Sequence, residues 1–227
     1  VTEEVRGVDS DFPVAKALAL ARRAVTGFPQ AAMFEVRDRG FGSVFQQLVA
    51  CVVSIRTRDE DSLPASLRLF GEADSPSALA TLGVDEIARL IAPSSFRDEK
   101  AERIREIARL TDTQFGGELP CDDATLRSFD GIGPKCANLA LGVACGLSVV
   151  SVDIHVHRVT NRWGLVRTTT PEQTWQALER VVPDDLKVDI NQVLMPFGKH
   201  VCTGARPRCS TCPVRPLCAQ VGVAQPR

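Results

Sequence analysis

Apolar residues recur along this chain at helical spacing, and glycine or proline closes each run, so helices are the regular element the pattern permits. Val14, Ala17, Leu18, Ala21 and Val25 form the first stripe, stopped by Gly27 and Pro29. Phe41 to Ile55 is apolar nearly throughout and long enough for a buried helix. Asp85 opens a stretch that Pro93 ends, and Asp98 opens a longer one with Ala101, Ile104 and Ala108 on one face and charges on the other, closed by Gly116-Gly117. Pro134 to Cys145 ends at Gly146, and Asp153 precedes a helix running to Trp163 and Gly164. Thr170-Pro171-Glu172-Gln173 reads as a capping box opening a helix to about Val182, and Pro183-Asp184 starts another to about Lys199. Tyrosine is absent and no long alternating Val/Ile/Thr run occurs, so the expected fold is all-α, with about ten helices.

A chain of 227 residues suits one large domain or two small interlocked ones. No run of about 18 apolar residues is present, which argues against a membrane span. The first residues, VTEEVRGVDSDFP, lack the basic and apolar segments of a secretory leader, so a reducing cytoplasm is expected. No coiled-coil seam is evident, and a monomer is expected. The net charge of −1 is unevenly spread: Asn191 to Arg227 holds five Lys/Arg and no acid. That basic end is either a phosphate-binding surface or a solvated tail.

Of the eight cysteines, Cys51, Cys136 and Cys145 lie in apolar helical stretches and read as small core residues. Cys202, Cys209, Cys212 and Cys218 fall within 17 positions in a segment too poor in apolar residues to form a core. A metal would supply that segment's folding energy. Four thiolates suit zinc or an iron–sulfur cluster; a single Cys-x2-Cys pair flanked by unequal gaps favours iron–sulfur, with zinc and disulfides left open.

Phe129-Asp130-Gly131-Ile132-Gly133-Pro134-Lys135 sits between two helices. Gly131 and Gly133 flank an apolar residue in a tight hairpin, and amides opening the second helix would face an anion such as a DNA phosphate. A plain helix–helix turn is the alternative. Lys135 falls in the first turn, where the helix dipole opposes a positive charge and so helps free the amine as a nucleophile. The chain has five lysines and 22 arginines, and only lysine forms a Schiff base; an exposed lysine is the alternative reading. Asp153 suits an N-cap and equally a carboxylate facing that amine. His155 and His157 diverge on one helix and read as surface or structural groups.

Taken in order, FDGIGPKCANLALGVA, SVDIHVHRVTNRWGL and FGKHVCTGARPRCSTCPVRPLC resemble the endonuclease III family of base-excision DNA glycosylases, the helix-hairpin-helix group with a glycine/proline-rich loop and an essential aspartate. The likeness runs from about Phe34 to Cys218. It implies a six-helix barrel domain over 37–147 containing the hairpin, and an iron–sulfur cluster domain of 1–36 plus 148–227, with DNA in the cleft between them. It also implies a 4Fe-4S cluster on Cys202, Cys209, Cys212 and Cys218. Lys135 matches the family's nucleophile and Asp153 its aspartate, which implies a bifunctional glycosylase and AP lyase. Its partner would be double-stranded DNA carrying damaged bases, mostly oxidised or ring-saturated pyrimidines, or abasic sites. Arg206 and Arg208, in the cysteine loop, would contact phosphates.

The chain departs from the family in two loops. Ser54-Ile55-Arg56 stands where the family has Ser-Ala-Gln, so Arg56 replaces the glutamine that fills the gap left by a flipped base. Phe96, in Pro93-Ser94-Ser95-Phe96, is the candidate intercalating wedge, a buried core phenylalanine being the alternative. Rival readings are a monofunctional glycosylase, which Lys135 opposes, a non-catalytic reader of damaged DNA, and an electron carrier, which the large helical body opposes.

Overall fold

A computed structural model describes residues 7–227; the first six residues, included in the leader reading above, lie outside them. The chain divides into two compact units, Ala32–Leu147 and a second made of the segments before and after it. Among the described residues all regular structure is helical, apart from one isolated bridge between Val8 and Val166.

After α1 (Val14–Val25), the central unit holds eight helices: α2 (Ala32–Asp38), α3 (Val44–Ser54), α4 (Asp59–Glu72), α5 (Pro76–Thr81), α6 (Val84–Leu90), α7 (Arg97–Phe115), α8 (Asp123–Ser128) and α9 (Pro134–Cys145). α3 and α9 pack against each other, and most residues of both are buried. A capping box starts α3: Ser43 accepts from the Gln46 amide, and the Gln46 side chain accepts from the Ser43 amide. Three acids in its first turn favour α4, despite Pro64 inside it, and one of them, Asp59, accepts from Ala32 N at 3.0 Å, satisfying an orphan amide of α2.

The packing of α3 on α9 corrects one expectation. Cys51 and Cys136 are core residues but not free thiols: they are joined in a disulfide, with Cα atoms 5.7 Å apart. A second disulfide joins Cys121 to Cys145. Helices that bring two cysteines together across 85 residues leave no trace in local sequence, so the pairing was not visible there.

The flanking segments form the other unit from α1, α10 (Ile154–Trp163), α11 (Pro171–Val181) and α12 (Lys187–His200), the last preceded by a 3-10 turn, Asp184–Leu186. α12 packs against both α1 and α10. Trp163 anchors the core, stacked on Phe12 at 5.8 Å and edge-on to Phe197 at 6.0 Å. Thr170 caps α11 as expected, but the box is only half formed: Gln173 accepts from Thr169 rather than from Thr170. Beyond Val201 the chain is loop and two 3-10 turns, Cys209–Thr211 and Arg215–Leu217. No described helix is long and apolar enough to cross a membrane.

Candidate active site

The hairpin lies between α8 and α9, with Ile132 buried under it. Gly131 adopts φ +72°, a left-handed conformation that a side chain strains, and the Arg103 guanidinium fills the space where its Cβ would be. Gly133 is different. Its φ of −96° suits any residue, and a Cβ there would meet nothing within 4 Å. The fold does not require a glycine at 133, so what the missing side chain leaves open is the approach to the N-terminal end of α9, where Pro134 carries no N–H and Cys136 N donates to Gly133 O at 3.1 Å.

Lys135 stands in the first turn of α9, half-buried, with Nζ 3.6 Å from Cys51 Sγ. It also lies near enough to Lys100 for its charge to depress that group. In the same unit, the loop after α3 and the loop before α7 bring Arg56 and Phe96 together. The Arg56 guanidinium lies over the Phe96 ring at 5.6 Å, and both residues have positive φ, 52° and 55°. Phe96 is 55% exposed, so the core reading of that residue does not hold.

Lys100 is the residue that sequence reasoning missed. It is 2% exposed, inside the stripe of α7 that also carries Ala101, Ile104 and Ala108. Charges therefore do not all face away from that stripe. The available signal was positional: Lys100 stands four residues before Ile104, on the buried side of the helical repeat. The three N–H groups of its Nζ are shared among four acceptors, Val53 O (2.7 Å), Ile55 O (2.6 Å), Ser94 Oγ (2.7 Å) and Thr57 Oγ1 (3.0 Å). Burial first, then the Arg103 and Lys135 charges, pull its pKa down to about 8.

In the other unit, Asp153 caps α10, its Oδ1 accepting from His155 N at 2.9 Å and Val156 N at 2.8 Å. The histidines are structural: His157 Nδ1 lies 2.6 Å from Thr174 Oγ1, and His155 Nδ1 lies 3.1 Å from Arg158. Arg158 and Arg162 also donate to the Cys202 carbonyl, and Arg162 donates to the carbonyls of Thr203 and Gly204. They tie α10 to the start of the cysteine loop.

Cys202, Cys209, Cys212 and Cys218 have free thiols and line a single pocket with Arg162, Trp163 and Phe197. Among the described residues no group of three or more His, Cys, Asp or Glu is gathered at metal-binding spacing. The donor set nonetheless suits a soft metal centre: four thiols and no carboxylate. Gln220 N and Arg162 direct N–H groups at the sulfurs of Cys218 and Cys202. Burial raises the Cys212 thiol and pushes Cys218 up to about 11. Arg206 and Arg208 are exposed on the loop between the first two cysteines.

A model of the HhH-GPD superfamily of base excision DNA repair proteins matches residues 49–184. Endonuclease III of Thermotoga maritima is 37% identical over 199 residues, covering 88% of this chain and 90% of that protein. Endonuclease III of Escherichia coli K12 is 34% identical over 181 residues, 80% of this chain and 86% of that protein. Among solved structures, a non-covalent endonuclease III–DNA complex is similar with a TM-score of 0.78 at 23% identity, covering 91% of this chain and 94% of that one.

Proposed function

The chain belongs to the HhH-GPD superfamily of base excision DNA repair proteins, and we propose that within it the chain removes oxidised or ring-saturated pyrimidines through a Schiff base on Lys135. It is a DNA glycosylase with AP-lyase activity. The observation that carries the residue assignment is the placement of Lys135: half-buried, in the first turn of α9, directly after a hairpin whose Gly133 leaves the start of that helix unobstructed.

In this reading a phosphate of damaged duplex DNA meets the amides that open α9, and the damaged nucleotide is flipped out of the stack. The neutral amine of Lys135 attacks the sugar C1′ as the base departs with the glycosidic electron pair. Asp153 takes up the lysine's proton or stabilises positive charge on the sugar. Ring opening gives the imine, loss of a C2′ proton expels the 3′ phosphate, and water then frees the lysine. Arg56 and Phe96 contact the bases around the vacated position, and Arg206 and Arg208 contact phosphates.

Cys202, Cys209, Cys212 and Cys218 would hold a 4Fe-4S cluster. When bound it supplies folding energy to a segment without a core and shapes the loop that carries Arg206 and Arg208. A monomer acting on DNA in the cytoplasm completes the proposal.

The test is excision from duplexes carrying single lesions. Release of thymine glycol with nicking on the 3′ side, absent in Lys135→Ala, is the expected result. Damage-dependent binding without base release or nicking would favour a non-catalytic reader.

A further inference from the structure

The Lys100 ammonium has four acceptors around its three N–H groups, and their positions are informative. Two are the carbonyls of Val53 and Ile55, at the C-terminal end of α3 where helix carbonyls lack partners and a positive charge is favoured. That much is helix capping. The other two are Thr57 Oγ1 and Ser94 Oγ, one on each of two loops that meet here, the two hydroxyls lying 3.2 Å apart. Around the ammonium those loops are stitched again. Ser94 Oγ donates to Val53 O at 3.0 Å, and Ser95 N donates to Thr57 Oγ1 at 3.1 Å. Within one residue of this knot on either side stand Arg56 and Phe96, both in left-handed backbone conformations and in contact with each other. Each strained conformation costs of the order of 1 kcal/mol and persists only where its surroundings dictate it. The ammonium and its two hydroxyl partners are the surroundings the two loops share.

We propose that Lys100 is a positioning residue for substrate discrimination: one buried ammonium fixes the Arg56 loop and the Phe96 loop as a single rigid unit, so both side chains meet the DNA bases in register. The inference rests on the reading above that Arg56 and Phe96 touch bases. It adds that their effect on specificity depends on a residue that touches neither DNA nor the reacting sugar. A preformed pair loses little conformational freedom on binding, whereas two independent loops must be ordered at each encounter. Lys100→Met keeps the length and apolar stem of the side chain and removes the tie. Thr57→Ala removes one anchor of the ammonium, together with the acceptor of Ser95 N, while leaving the ammonium in place.

The readout is the ratio of kcat/KM for one lesion placed opposite guanine and opposite adenine. Partial unfolding cancels from such a ratio, because both duplexes meet the same pool of active protein. The second readout is fluorescence of 2-aminopurine opposite a tetrahydrofuran abasic analogue at saturating protein, which reports stacking at the orphan base. Arg56→Ala/Phe96→Ala is expected to shift the ratio by about fivefold or more, and Lys100→Met to shift it most of the way to the same value. Thr57→Ala should move it in the same direction by less. Adding Lys100→Met to the double variant should change the ratio less than about twofold, since residues acting through one unit are not additive. If Lys100→Met does not yield folded protein, Thr57→Ala decides. A ratio unchanged in Lys100→Met, or in Thr57→Ala standing alone, while the double variant shifts it, overturns the inference and leaves the base contacts intact. Full additivity overturns it as well. A double variant with the wild-type ratio removes the base-contact reading and the inference with it.

Discussion

Asp153 serves α10 and, in the proposed mechanism, the sugar, and one substitution separates the two. Its Oδ1 alone accepts both cap bonds, from His155 N at 2.9 Å and Val156 N at 2.8 Å. Asparagine presents a carbonyl oxygen in the same place, so Asp153→Asn keeps the cap and loses only the charge at the helix N-terminus, about 0.3–1 kcal/mol. Asp153→Ala loses both bonds and should cost about 1–2 kcal/mol. For a chain of this size that corresponds to a Tm lower by about 3–6 °C for alanine and less than about 3 °C for asparagine. Catalysis should not follow that order. Neither variant can take up the lysine's proton, so single-turnover excision of thymine glycol should fall by about 10²–10⁴ in both. Calorimetry and excision kinetics on the same preparations give the two numbers. An asparagine variant that excises at the wild-type rate would refute the catalytic role and leave Asp153 as a cap.

Other outcomes follow from the same geometry. Gly131→Ala must place a side chain at φ +72° and should lose about 1–2 kcal/mol in urea denaturation, whereas Gly133→Ala should denature like wild type yet bind an abasic-analogue duplex several-fold more weakly by anisotropy. Lys100 has a folded pKa of about 8 against 10.5 as an ordinary lysine, so the unfolded chain binds more protons between those values. Its burial cost is therefore complete below about pH 8 and is relieved as pH rises towards 10.5; wild type should gain stability relative to Lys100→Met between pH 7.5 and 9.5, and a constant difference would contradict this. Cys121–Cys145 closes a loop 24 residues long, so serine at both positions should cost about 3 kcal/mol in urea denaturation without reducing agent.

Helix starts and stops were readable because they are local. The stripe from Val14 to Val25, the Asp153 cap and the Gly146 and Gly164 stops all fall where their residue types place them. α4 escaped because Pro64 reads as a breaker and its buried face includes Ser62 and Ser66; tertiary packing overrode propensity there. α2 and α5, at seven and six residues, are too short to show a period. Among the candidate residues, Lys135 and Asp153 stood out because each occupies a defined position at a helix start. The contact between Arg56 and Phe96, the burial of Lys100 and the disulfide beside Lys135 depend on which helices pack together, and no local pattern encodes that.

In the proposed reaction Lys135 is the amine that joins the sugar. The direct measurement is borohydride reduction of the protein mixed with a duplex containing one abasic site, followed by proteolysis and mass spectrometry of the adduct. The prediction is a covalent complex whose sugar remnant maps to Lys135 and which disappears in Lys135→Ala. An adduct that survives in Lys135→Ala, or maps to another amine, would contradict it.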